Sequence, residues 1–170
     1  MTDTTTEKTT TVTRDQLVQG LQGDLRREYK AIIQYVIFSQ KLNDARYTDI
    51  AKELEGHAHQ ELDHALAIAR QLDYFDAYPD HEPAPVDVSE KNEDMLWFDL
   101  YAEDVTVKNY RQRIEQARQL GEYALAEVLQ EIIRQEQDHQ IDLATALGVV
   151  PDAAQRKGQG PKSPTGTENG

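Results

Sequence analysis

Glu61-Leu62-Asp63-His64 and Glu136-Gln137-Asp138-His139 are one phrase written twice, 75 residues apart. Working outward from each copy, a lone glutamate stands 33 residues upstream, Glu28 for the first and Glu103 for the second. Asp24 and Asp99 precede those glutamates by one helical turn, and Tyr35 and Tyr110 follow them by two. The register also holds apolar and amide positions: Ile50/Leu125, Ala51/Ala126, Leu54/Leu129, Gln60/Gln135 and Asp63/Asp138. A single Glu-x-x-His on an amphipathic helix is ordinary solvated decoration. Two at matched offset, each with its own glutamate, are what a four-helix bundle needs to hold two metal ions in its core. The repeat predicts an all-α fold in which a helical hairpin is duplicated, the two hairpins being joined by a long crossover.

Caps and periodicity place the four helices. Thr13 with Gln16 forms a capping box for the first, whose apolar residues Leu17, Leu21, Leu25, Ile32, Val36 and Leu42 recur at helical spacing until Asn43-Asp44. The second runs from about Tyr47 to Leu72. Pro79, Pro83 and Pro85 cannot continue a helix, so residues 76–88 are read as the crossover. Asp87, with Glu90 at the reciprocal position, is expected to cap the third helix, which Gly121 ends. The fourth carries Leu125, Leu129, Ile132, Ile133, Leu143 and Leu147 before Pro151 closes the domain. The bundle is assigned to residues 14–150, and the Thr-, Gly-, Pro- and Lys-rich ends, 1–13 and 151–170, are expected to be disordered.

Composition narrows the function. The formal charge is −13, and because the two ends carry −1 and +1 the acidic excess lies in the bundle. Such a body repels phosphate backbones and attracts cations, which disfavours nucleic acid as a partner. With no cysteine there is no thiolate iron centre, no zinc ribbon and no thiol nucleophile, so a metal must be held by carboxylates and imidazoles. The opening residues MTDTTTEKTTTVT lack the apolar stretch of a signal peptide and nowhere do 18 apolar residues run together, which predicts a soluble cytoplasmic protein without a membrane partner.

Spacing makes a shared site possible. Glu28 and Glu61 each lie about 15 residues from the turn between their helices, or about 22 Å at 1.5 Å per residue, so they stand at one level. Glu103 and Glu136 bracket Gly121 in nearly the same way. Glu61 and His64 share a helix face, as do Glu136 and His139. Four carboxylates packed in an apolar bundle would repel one another and each lose its hydration. Two divalent cations resolve this, with Glu28 and His64 on one ion, Glu103 and His139 on the other, and Glu61 and Glu136 bridging. One nitrogen and three oxygen donors per ion suit iron or manganese and leave room for oxygen or peroxide. Asp24 and Asp99 are placed to accept from the outer nitrogens of His139 and His64 respectively. Tyr35 and Tyr110 are placed to hydrogen-bond the carboxylates or to donate an electron, and Tyr35, in the more apolar stretch, is taken as the catalytic one. His57, one turn before Glu61, is read as a half-exposed surface residue rather than an iron transfer site; His59 and His81 as surface or loop residues; Trp97 and Phe98 as packing or subunit contacts.

The strings EYKAIIQY around Glu28, ELDHA at Glu61, DLYAEDVTVKN around Glu103 and EIIRQEQDH at Glu136 resemble bacterioferritin, a member of the ferritin-like superfamily, over roughly residues 15–148. The resemblance fills all six ligand positions of that family's ferroxidase centre. It implies two iron ions per subunit, with manganese as the alternative, and oxidation of Fe(II) by O2 or H2O2 within a self-assembled homo-oligomeric cage. It departs from the family in two places. Bacterioferritin carries a haem-ligating methionine where this chain has Leu62, so haem is not expected; and a polar tail after Pro151 replaces the fifth helix, which favours a smaller Dps-like cage. The rival readings are a Dps-like peroxide-consuming protective cage and a non-storage di-metal oxidoreductase such as a manganese catalase.

Overall fold

A computed structural model describes residues 12–156 and 158–161. Helix α1 spans Arg14–Lys41, a single 3₁₀ turn Ala45–Tyr47 follows, and α2 spans Thr48–Tyr74; α3 is Asn92–Gln119 and α4 is Tyr123–Leu147. Helices α1 and α2 form one antiparallel hairpin and α3 and α4 the other, with α1 beside α3 and α2 beside α4. The expected all-α bundle of two hairpins is the observed one. Among the described residues no helix is long and apolar enough to cross a membrane.

The termini follow local chemistry. Thr13 accepts from the backbone N–H of Gln16 while the Gln16 side chain accepts from the N–H of Thr13, so the capping box is formed. Gly121 at φ +77° and Gly148 at φ +69° occupy the left-handed region that ends α3 and α4. After Gly148 the N–H of Val149 donates back to the Ala144 carbonyl, closing the last turn.

The start of α3 differs from expectation. Asp87 caps no helix: Lys30 donates to its carboxylate at 2.7 Å, and its N–H donates to Gln34 Oε1 at 2.9 Å. The helix begins five residues later, after Lys91. Asp87 is instead part of the fastening of the crossover along α1. Gln22 bonds Tyr78 and Asp80, Arg26 accepts from the N–H of Ala84 through its carbonyl, and Lys30 and Gln34 take Asp87. These four residues recur every fourth position, a polar stripe about 18 Å long. It holds the crossover against the bundle from one end toward the other.

The C-terminal segment also differs. Residues 151–156 and 158–161 are fastened to α3: Arg156 is buried, donating to Asp104 and to the Pro151 carbonyl, and the Tyr101 hydroxyl donates to the Pro161 carbonyl. Gly160 passes so close to Trp97 that a side chain there would collide with the indole. An ion pair to Asp104 gives this polar segment an anchor that its composition conceals. Residues 1–11, 157 and 162–170, where disorder is also expected, lie outside the described residues.

Two apolar cores divide the bundle. One gathers Leu17, Leu21, Leu25, Ile68, Leu72, Tyr110, Leu125 and Leu129; the other Tyr35, Phe38, Ile50, Leu54, Met95, Leu96, Leu100 and Leu143. Each fully buried leucine or isoleucine contributes about 1.5–3 kcal/mol. Between the two cores lies a layer of buried polar side chains, one phenol standing in each core beside it.

Candidate metal centre

All six residues that the sequence singles out as ligands meet in that layer, each at most 3% exposed. His64 Nδ1 lies 3.1 Å from Glu61 Oε2, 3.2 Å from Glu136 Oε1 and 3.4 Å from Glu28 Oε2. His139 Nδ1 lies 3.0 Å from Glu61 Oε1, 3.1 Å from Glu136 Oε2 and 3.6 Å from Glu103 Oε1. Glu61 and Glu136 thus each turn one oxygen to each imidazole, whereas Glu28 faces only His64 and Glu103 only His139. The atoms form two overlapping sets, Glu28/Glu61/His64/Glu136 and Glu61/Glu103/Glu136/His139, each within 4.8 Å.

The layer is short of partners. Glu28 Oε2, Glu61 Oε1, both oxygens of Glu136 and Nδ1 of His139 are buried with no hydrogen bond. Buried polar atoms are ordinarily satisfied, and a cluster of orphaned acceptors around two imidazole nitrogens is the donor set that two cations satisfy. Without cations, protons stand in. Burial, with the charges of Glu136 and Glu28, pushes Glu61 well above the usual carboxylate range, and burial with the charge of Glu136 raises Glu103. Burial opposes charge on the imidazoles, but the surrounding carboxylates win: His64 is raised and His139 is pushed up to about 12. Glu28 is lowered despite burial, because Glu61 and His64 hydrogen-bond to it.

The outer nitrogens are tethered differently from expectation. His64 Nε2 donates to Gln135 Oε1 at 2.8 Å and His139 Nε2 to Gln60 Oε1 at 2.7 Å, each amide reaching across from the other Glu-x-x-His helix. Asp24 and Asp99 do not accept from the histidines. Asp24 is held by Arg113 and Arg27, and Asp99 by Gln34 at 2.8 Å. Arg113 is thus a buried inward cation that the sequence pattern had not disclosed; it serves Asp24, not the four glutamates. Gln60 and Gln135 carried a signal, since they belong to the repeat and each precedes its glutamate. Because Nε2 is committed as a donor, the proton that must leave for a cation is the one on Nδ1.

The phenols cross over as well. Tyr35 donates to Glu103 and Tyr110 to Glu28, both rings being 1% exposed, so burial does not separate them. Contact does: Tyr35 packs edge-on against His57 and His139, with ring centroids 5.4 and 6.0 Å apart. Burial and the nearby carboxylates raise both phenols well above their usual range, so both remain protonated donors.

His57 departs most from expectation. It is 4% exposed, stacks on His139 with centroids 4.0 Å apart, and bonds Asp142 at 3.2 Å. Burial first, and the charge of His139 second, pull it down to about 3, so it is neutral. His59 and His81 are exposed as expected, and Trp97 is packed against Tyr101 in the core that holds Tyr35 and Phe38. On the opposite side, a cavity of about 210 Å³ lies between α1, α3 and the crossover. Its walls include Ala31, Pro85, Phe98 and Ala102, and it reaches Glu28, Glu61, Glu103 and Glu136.

The ferritin-like domain family matches residues 18–152. The chain belongs to the ferritin-like family. Within it the chain is bacterioferritin-like: it is 25% identical over 140 residues to a bacterioferritin of Brucella melitensis biotype 1, covering 78% of this chain and 87% of that one. A bacterioferritin of Rhodobacter capsulatus is 23% identical over 135 residues, covering 79% and 84%. Among solved structures, a ferritin-like, diiron-carboxylate protein from Bacillus anthracis superposes with a TM-score of 0.75 at 29% identity, covering 78% of this chain and 96% of the other. The ferritin-like bundle is therefore the frame in which this chain places carboxylates and imidazoles able to hold a metal.

Proposed function

We propose that this protein is a ferroxidase: it binds two Fe(II) ions as substrate, oxidises them with O2 or H2O2, and passes Fe(III) into the cavity of a homo-oligomeric shell. The observation that carries this reading is the split of Glu61 and Glu136, each offering one oxygen toward each imidazole while Glu28 and Glu103 each face one. That is the donor arrangement for a bridged pair of ions, with Glu28 and His64 terminal on one side and Glu103 and His139 on the other. Manganese fits the same donors and is the alternative metal.

The chain's own residues have defined tasks in this reading. Gln60 and Gln135 hold the imidazoles with Nδ1 inward, which keeps donor geometry fixed while charge changes. Protons that the ions displace from His64, His139, Glu61 and Glu103 are then on hand for the oxidant. Two Fe(II) release two electrons, and with two protons these reduce O2 to H2O2, or H2O2 to two molecules of water. The cavity between α1 and α3 is wide enough for either small oxidant and meets the glutamates directly. Tyr35 acts through Glu103 as a positioning residue, and its contact with His139 makes it the phenol placed to lend an electron when a second Fe(II) is lacking.

Anaerobic loading with Fe(II) followed by O2 or H2O2 tests the proposal. Ferric absorbance should appear in the near ultraviolet, faster with one oxidant than the other, and Glu61→Ala and His139→Ala should lose it. Variants that oxidise iron as fast as the unaltered protein would overturn the reading. Native mass measurement tests the shell independently, and a monomer would remove it.

A further inference from the structure

On the α2–α4 face, away from the apolar cavity, three metal-capable side chains outside the six-residue layer converge. Glu53 lies one turn before His57 on α2, and Asp142 lies three residues after His139 on α4. Each offers a donor atom within 4.8 Å of the other two. We infer that Glu53, His57 and Asp142 form a third cation site, taking one divalent transition-metal ion between solvent and the dinuclear layer.

Three observations support this. Two donors about 2.1 Å from a common ion stand about 3.0–3.4 Å apart in octahedral or tetrahedral geometry. His57 Nε2 and Asp142 Oδ2 are 3.2 Å apart. His57 is also poorly satisfied for a buried residue: its Nδ1 has no partner at all, although the ring is only 4% exposed. Finally, the site has one end in water and the other against the layer. Glu53 is exposed and the Asp142 side chain 40% exposed, while the imidazole stacks on His139 at 4.0 Å. One imidazole and two carboxylates suit Fe(II), Mn(II), Co(II) or Zn(II) better than Ca(II) or Mg(II). The binding of an ion here stands by itself; its service as a relay to the layer rests on the ferroxidase reading.

Anaerobic titration of the full-length chain with Co(II), followed by visible absorbance and by metal content after equilibrium dialysis, decides the matter. The unaltered protein should take up three Co(II) per subunit. The double variant Glu53→Gln/Asp142→Asn, whose changes lie on partly or fully exposed side chains, should keep two and bind the third at least about 10-fold more weakly. Glu61→Ala should lose the bridged pair yet keep the outer ion. Equal stoichiometry and affinity in the unaltered protein and the double variant would overturn the site. The relay is read separately, with Fe(II) and O2. In the double variant, oxidation of a pre-loaded pair should proceed at the unaltered rate while continued turnover slows. If Co(II) binding drops as expected but continued turnover is unchanged, the site stands and the relay falls. If neither protein oxidises iron, the ferroxidase reading fails while the Co(II) result still decides the site.

Discussion

At the scale of single residues, the least conspicuous members of the centre are the two glutamines. Each imidazole is fixed at Nε2 by an amide from the facing helix, Gln60 for His139 and Gln135 for His64. Gln60→Ala should leave the fold intact, since the residue is exposed, but let the His139 ring turn. An outer hydrogen-bond partner of a metal-binding imidazole is worth about 10–100-fold in affinity. Anaerobic Co(II) titration should show that loss for one ion of the pair, and unchanged affinity would mean the tether does not position the ring. The phenols supply their own control. Tyr35→Phe and Tyr110→Phe each remove one hydrogen bond to a terminal glutamate, costing about 1.5–3 kcal/mol of stability in either case. If Tyr35 also lends an electron, stopped-flow oxidation should slow more in Tyr35→Phe than in Tyr110→Phe. Equal rates would reduce Tyr35 to positioning alone.

At the scale of elements, what could be read from the sequence divides by mechanism. Caps, apolar period and glycine stops act locally, so the Thr13 box, the Gly121 break and the four helices were legible, as was the convergence of the six ligand candidates from the doubled register. Interactions between elements were not. Gln22, Arg26, Lys30 and Gln34 are polar residues with no local signal of a role, and only the crossover lying on them shows what they hold. Asp87 looked like a cap because a cap needs only its neighbours, whereas its partner Lys30 is 57 residues away. Arg113 and His57 were hidden likewise: each is polar, and only the facing helix reveals that it is buried. The stripe has a gradient that can be measured. Gln34 is fully buried and serves both Asp87 N–H and Asp99, so Gln34→Leu leaves the buried Asp99 carboxylate and the half-buried Asp87 N–H without that partner and should cost about 2–3 kcal/mol. Gln22→Leu, at the wetter end, should cost under about 1 kcal/mol. Urea unfolding midpoints of the two variants give the comparison, and equal costs would show that the crossover is not held through Gln34.

At the scale of the whole molecule, the bundle is an apolar body split by a layer that cannot remain fully charged without cations, and this makes its stability depend on pH in a definite direction. Consider the metal-free protein. His139 is raised from 6.5 to about 12 and His64 is raised too, so their contribution is fully present below about pH 6.5 and is lost as pH climbs toward the folded values. Glu61 and Glu103 are raised from 4.5, so above that pH the unfolded chain gives up protons which the folded layer keeps. Both effects have the same sign: the folded state binds more protons, and stability falls as pH rises. Two groups work oppositely: Glu28 is lowered, with its contribution complete above about pH 4.5, and His57 is pulled down to about 3, with its contribution complete once pH passes its unfolded value of 6.5, so neither offers relief above about pH 7. Between about pH 7 and 9 the metal-free chain should therefore lose about 1.4 kcal/mol per pH unit for each proton that only the folded state retains. Divalent cations replace those protons, so loading with Co(II) should flatten the dependence, raise Tm most at the alkaline end, and release protons into weakly buffered solution. Thermal unfolding with and without Co(II) at pH 6, 7.5 and 9 measures all of this. A metal-free Tm that rises across that range would mean that protons do not stand in for the ions, and that the layer tolerates its charge by some other means.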